Sequence, residues 1–241
     1  TATMPSHAAP ALGGARVGLG LRPELTSDLL AQPRLVDFVE IVAEACFVDG
    51  RLRRRAEALA EVWPVVPHGV KLSLGSADGI DVERARRLGA LTRSLRSPVV
   101  SEHVAFTRAD TRDIGHLTAL PRTRAAVRVV ARNVAKARAH LPDVPLLLEN
   151  VACTVPWPND EMDEPAFYAE IVAATGCPLL LDLGNLHANA LNAGLDPAAE
   201  LVRYPLEHVA MIHVAGGAWD DGFYVDTHAA PVPAPVFALL E

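Results

Sequence analysis

Six strand-like stretches of this chain each deliver a carboxylate, an imidazole or both at or near their C-terminal ends, and a seventh such group follows in the loop beyond them. These residues are Glu44, His68, Glu102 with His103, Glu149 with Asn150, Asp182 with Asn185 and His187, His213, and then Asp226 and His228. The pattern is plainest in Pro145-Leu-Leu-Leu-Glu-Asn150 and Pro178-Leu-Leu-Leu-Asp182, where a proline opens an apolar run that stops on a carboxylate. Such runs read as strands buried on both faces, as in a parallel sheet covered by helices. A carboxylate where an apolar strand ends is costly to bury unless it is paired or bound to a cation. A ring of strands whose C-terminal ends meet at a polar mouth supplies that setting, so the pattern predicts a metal site spread around a barrel rim.

Strand and helix signals alternate along the chain. Strands are expected near 16–21, 37–43, 65–73, 98–105, 145–150, 178–183 and 208–215. Helices are expected over Glu24 to Ala31, Leu52 to Trp63, Val82 to Leu95, Thr123 to Leu141, Pro165 to Thr175 and Pro197 to Tyr204. Asp81 and Asp196 stand where N-caps belong, Pro197 suits a first helical turn, and Gly176 reads as a C-cap. The repeated unit predicts an α/β fold, a (β/α)8 TIM-type barrel, with the eighth strand not evident. After the seventh strand come a polar loop from Gly216 to Pro235 and the start of a helix from Val236. A doubly wound sheet would carry a glycine-rich phosphate loop after its first strand, and Gly13-Gly14 precedes that strand instead. Residues 1–15 are expected to form a flexible N-terminal segment, and 16–241 a single metal-binding barrel domain.

At 241 residues and 50% hydrophobic content the chain can bury one large core. Its formal charge of -7 argues against a nucleic-acid binder, which needs a basic excess to track phosphates. The basic run Arg51 to Arg55 reads as the solvated face of a helix. Cys46, Cys153 and Cys177 are widely spaced and odd in number, which fits a reducing cytoplasm. Neither a secretion signal nor a run of about 20 apolar residues is present, so no membrane role is expected.

Histidine and carboxylate suit iron, manganese and zinc. A single catalytic zinc needs about three protein ligands, so the surplus at these strand ends predicts two or three metals, with Glu149 and Asp182 as bridges. His68, His103 and His213 each interrupt an apolar strand, whereas His7, His116, His140 and His208 read as exposed or structurally satisfied. The i, i+2 spacing of Asp226 and His228 puts both side chains on one side of an extended segment. Leu72 to Asp78 reads equally as an anion-binding loop or as a turn capping the next helix.

Taken together, Val17-Gly-Leu-Gly-Leu-Arg-Pro-Glu24, His68-Gly-Val-Lys-Leu-Ser-Leu-Gly-Ser76, Ser101-Glu-His103, Leu146-Leu-Leu-Glu-Asn150, Leu180-Leu-Asp-Leu-Gly-Asn185, Ile212-His-Val-Ala-Gly216 and Asp226-Thr-His228 with Pro231-Val-Pro233 are a highly specific set. In content and order it resembles the multinuclear non-haem iron-dependent oxidative enzymes, the family of the methanobactin biosynthesis oxidase. The resemblance implies a xylose-isomerase-like barrel holding two or three iron ions, with dioxygen as co-substrate. It further implies remodelling of a ribosomally made precursor peptide, commonly at cysteine, and a small separate partner protein that recognises the peptide leader. Its metal ligands would fall on His68, His103, Glu149, Asp182, His213, Asp226 and His228, with Glu44, Glu102, Asn150, Asn185 and His187 as neighbours. Two departures stand out: Ala45 follows Glu44 where the family carries asparagine, and the family's eighth strand with its acidic residue is not seen.

Two other readings compete. A divalent-metal sugar isomerase or epimerase on the same barrel would need a lysine or second acid near its sugar, and Lys71 is the obvious lysine. A non-catalytic metal-binding scaffold is the third.

Overall fold

The computed structural model describes residues 15–110 and 112–241, so the segment expected to be flexible falls, but for its last residue, outside the described residues. Seven parallel strands form the main sheet: β1 (Gly18–Gly20), β2 (Phe38–Val42), β3 (Val65–Gly69), β4 (Val100–His103), β7 (Leu146–Glu149), β8 (Leu179–Asp182) and β9 (Val209–His213). They lie side by side in that order. Two antiparallel hairpins stand apart from the sheet, β5 (Ala105–Ala109) with β6 (Arg112–Ala119) and β10 (Gly216–Asp220) with β11 (Phe223–Ala230).

The two leucine runs show why the chain must fold this way. Leu146 and Leu148 of β7, and Leu179 and Leu181 of β8, pack into the large apolar core shared with the helices. With a side-chain period of two, Leu147 and Glu149, and Leu180 and Asp182, point to the opposite face. All eight residues are buried, so both faces of the sheet are covered. The covering helices are α3 (Val82–Ser94), α4 (Arg124–Arg138) and α5 (Glu164–Thr175), whose Leu88, Leu91, Val130, Val134 and Ile171 join the same core.

The sheet is curled. His213 on β9 touches Glu40 on β2 at 3.1 Å, although four strands separate β9 from β2 in the strand order. The outer edges of β1 and β9 pair with no strand among the described residues, so the barrel is open on that side. This is the fold expected from the sequence, seven strands of a TIM-type barrel.

Local signals held where a cap decides them. Asp81 accepts from the amides of Glu83 and Arg84, Asp196 from that of Ala198 ahead of α7 (Pro197–Leu201), and Gly176 closes α5 at φ 64°. Three expectations need correction. The strand expected to run to residue 73 stops at Gly69, and Leu72 to Ser76 form a tight turn in which Ser73 takes φ 63° and its Oγ accepts from the Thr107 amide at 2.8 Å. Ser73 thus serves as a turn residue, and the anion-loop reading is not needed. Asn185 and His187 lie not on a strand or loop but in the first turns of α6 (Leu183–Asn192), because Asp182 itself caps that helix. The polar loop after the seventh strand is the β10–β11 hairpin. Asp221 at φ 43° and Gly222 at φ 85° supply the two left-handed positions of a type I′ turn.

Cys46, Cys153 and Cys177 are all unbridged. No helix among the described residues is long and apolar enough to cross a membrane.

Candidate metal centre

Strand register assembles the site. His103 on β4 pairs with Glu149 on β7, and Asp182 on β8 pairs with His213 on β9, so two carboxylates and two imidazoles end at one level. His68, at the end of β3, points to the same place. Its Nε2 lies 3.3 Å from Glu149 Oε2, and His103 Nε2 is also 3.3 Å from that oxygen. On the other side, His213 Nδ1 is 3.0 Å from Glu149 Oε1 and 3.9 Å from Asp182 Oδ2. Two metal-capable groups result, His68–His103–Glu149 and Glu149–Asp182–His213, and they share Glu149.

The electrostatics are those of a cluster organised around one carboxylate. Burial alone would push Glu149 up, but His103, His213 and His68 around it draw it down to about 2. Burial works against protonation at His103, yet Glu149 and Glu102 outweigh it and raise that imidazole to about 9. His213, also penalised by burial, is carried to about 11 by its hydrogen bonds to Glu149 and Glu40. His68 moves the other way, because burial outweighs Glu149's pull. Asp182, raised to about 6 by burial and by the neighbouring Glu149, gives up its charge more readily than a free carboxylate does.

Hydrogen bonds aim the ligand atoms. His68 Nδ1 is tied to Ser101 Oγ at 2.8 Å and His103 Nδ1 to the Gly69 carbonyl at 3.2 Å, which leaves each Nε2 facing Glu149. Asn150 clips the Asp182 backbone from both sides: Asp182 N donates to Asn150 Oδ1 at 2.7 Å and Asn150 Nδ2 donates to Asp182 O at 3.0 Å. Asn185 in turn donates to the Asn150 carbonyl at 2.9 Å.

Whether these residues fit a metal is tested by the atoms left over. Glu149 Oε2, Asp182 Oδ2, Asn185 Oδ1, Asp226 Oδ1, His187 Nδ1 and Glu44 Oε2 are all buried and lack a hydrogen-bond partner. A buried oxygen without a donor costs about 1–3 kcal/mol or more, and two of these five oxygens, on Glu149 and Asp182, belong to the metal-capable groups, which fits a site that takes cations.

The remaining sequence-derived candidates divide. Asp226 and His228 lie on β11 and pair at 2.8 Å, but they belong to neither three-residue group. Glu102 is spent on backbone, accepting from the amides of His103 at 2.8 Å and Leu72 at 2.9 Å. Glu44 receives the amides of Val70 and Lys71 on one oxygen. His187 packs edge-on against Tyr224, with ring centroids 5.3 Å apart. Lys71 turns outward to Asp113 at 2.9 Å.

Sequence reasoning passed over Glu40, whose carboxylate reaches His213 Nε2. Its signal was present, a single acid inside Phe38-Val-Glu-Ile-Val42. It also passed over Ser101 and Asn192. The Asn192 side chain bonds the Tyr224 backbone in both directions, at 3.0 and 2.8 Å, and so fastens the β10–β11 hairpin to α6.

Residues 16–241 match the family described as RiPP precursor modification enzyme MbnB/TglH/ChrH, and the chain belongs to it. The match bears out the resemblance read from the strand-end motifs. Among curated relatives, a UPF0276 protein of Streptomyces avermitilis is 44% identical over 240 residues, covering 95% of this chain and 48% of its own length. A UPF0276 protein of Caulobacter vibrioides is 42% identical over 226 residues, covering 93% of this chain and 80% of its own. The chain thus spans about half of the first relative and most of the second. Among solved structures, endonuclease IV from Thermus thermophilus aligns at TM-score 0.58 and 19% identity, covering 92% of this chain and 84% of that one. A xylose isomerase domain protein from Planctomyces limnophilus aligns at 0.54 and 14% identity, covering 87% and 76%. At such identities these two speak for the barrel alone.

Proposed function

We propose, on the premise of that family membership, that this chain oxidatively modifies a ribosomally synthesised precursor peptide at cysteine, using two or three iron ions and dioxygen. The observation that carries the reading is the pair of three-residue groups sharing Glu149, in which Glu149 Oε2 and Asp182 Oδ2 are buried without a hydrogen-bond partner. His68, His103 and Glu149 would hold one ion, and Glu149, Asp182 and His213 a second. Asp226 and His228 would contribute to a third. Iron held by these residues would supply redox chemistry toward a thiolate and dioxygen.

The chain's own residues do the rest. Ser101 and the Gly69 carbonyl hold the two imidazoles with Nε2 inward, so the ligand set is oriented before any ion arrives. The Asn150 clip and the Asn185 amide keep Asp182 at its level. Leu147 and Leu180, buried on the same face below Glu149 and Asp182, keep water from the floor. A separate leader-recognition protein would bring the peptide to the open mouth, and the reaction would take place in the cytoplasm. The sugar-isomerase reading loses its lysine, because Lys71 is engaged with Asp113 on the outer side.

The test is to load the protein anaerobically with ferrous iron, add a cysteine-containing precursor peptide with its partner protein, and admit oxygen. Oxygen uptake with a mass change on the peptide is expected, and the serine version of that peptide should remain unmodified. Equal modification of the serine peptide, or sugar isomerisation without oxygen, would overturn the reading.

A further inference from the structure

Glu40 has no role in the ligand set above, yet its placement is costly and specific. It sits mid-strand in β2, where Val39 and Ile41 on either side point outward into the apolar core, so its own side chain turns to the barrel interior. That side chain is only 12% exposed, and among the described residues its one side-chain partner is His213, whose Nε2 lies 3.1 Å from both carboxylate oxygens. A largely buried carboxylate needs such a partner to offset its lost hydration. The contact also spans the barrel mouth, joining β2 to β9, the strand at the sheet's open edge.

We propose that Glu40 is a positioning residue for the second ion site. By accepting from His213 Nε2–H it fixes the ring so that Nδ1 faces Glu149 and Asp182. The geometry is that of an orienting carboxylate behind a metal-binding histidine, in which one ring nitrogen is held so that the other can ligate. His213 needs this help more than its two partners do. His68 and His103 are steadied by Ser101 and Gly69 on paired neighbouring strands, whereas β9 is paired on one side only. Loss of an orienting partner of this kind weakens metal binding by about tenfold to a hundredfold.

The inference rests on the metal-centre reading, and the experiment separates the two. Wild type, Glu40→Ala, Glu40→Gln and His213→Ala are titrated anaerobically with ferrous iron, and bound iron per chain and affinity are read, with circular dichroism as a check on folding. His213→Ala should lose one ion and keep the one at His68 and His103. Glu40→Ala should weaken the same ion by about tenfold to a hundredfold. Glu40→Gln, which keeps an oxygen to accept from Nε2–H, should stay within a few-fold of wild type. If His213→Ala binds iron as wild type does, the metal-centre reading falls. If His213→Ala loses an ion and Glu40→Ala does not, the reading stands and the positioning role is overturned. Equal loss in Glu40→Ala and Glu40→Gln would also overturn it, because a direct ligand, unlike an orienting acceptor, cannot be replaced by an amide.

Discussion

The floor of the centre and its hairpin wall are built to different standards. His68, His103, Glu149 and Asp182 end four adjacent strands of one sheet, and their side chains are nearly sealed, Glu149 at 2% exposure. Asp226 and His228 stand on a two-stranded hairpin, with the His228 side chain 53% exposed. The floor inherits its geometry from backbone register and cannot shift one of these side chains without shifting a strand. The wall is held by side chains: the Asn192 clamp on Tyr224, the Tyr224–His187 contact and the Arg22 guanidinium on the His228 carbonyl at 3.3 Å. The two candidate metal groups are therefore set by the sheet itself, whereas the Asp226–His228 pair depends on side-chain contacts for its place.

The contrast breaks most completely if the floor proves dispensable. Glu149→Ala removes the carboxylate common to both groups, so more than one ion per chain should be lost by elemental analysis. Unchanged iron would sink the shared-ligand idea.

Acidity sharpens it next. Glu149, held down to about 2, contributes stability that is present above the ordinary carboxylate range and is lost as pH falls through about 2. His103, held up to about 9, and His213, up to about 11, contribute stability that is complete below about pH 6.5 and is lost as pH rises through those values. Asp182, raised to about 6, adds a loss over the pH interval leading up to that value. The chelated protein should therefore melt at lower temperature at about pH 8.5 than at about pH 6. With ferrous iron the order should reverse, because the ion competes with protons for the same nitrogens. Parallel slopes with and without metal would place the titrating groups outside the floor.

A smaller effect is expected at the wall. Asn192→Ala frees the Tyr224 backbone, at a local cost of about 1–3 kcal/mol. Amide exchange should quicken by roughly tenfold or more across β10 and β11 while β7 and β8 stay protected. Uniform acceleration over the molecule would mean that hairpin and barrel open as one unit. The smallest effect belongs to neither region: Lys71→Ala removes an exposed ion pair, so stability should change by less than about 0.5 kcal/mol and iron content should not change.

The floor was legible in the sequence because strand ends advertise themselves. A proline, three leucines and an acid leave little freedom, and Asp182 and Glu149 could be placed from that alone. Glu40 was passed over because the reading looked for acids where strands stop, and this one lies inside a strand with apolar neighbours on both sides. Helix α6 was hidden by Asp182, which ends a strand and caps a helix at once, leaving no loop between them to signal the change. The hairpin wall was taken for a loop although Asp221-Gly222 is a strong turn signal. Its strands lack clean apolar alternation because one face meets solvent and the other the polar mouth.

The seam between β9 and β1 carries a consequence of its own. Val17 and Leu19 on one lip and Ile212 and Val214 on the other are more than a third exposed, beside strand edges that pair with no strand among the described residues. Such an edge is a template for pairing, indifferent to whose strand arrives. A strand that filled the seam in register would pair β9 on its free side and so steady the backbone that carries His213.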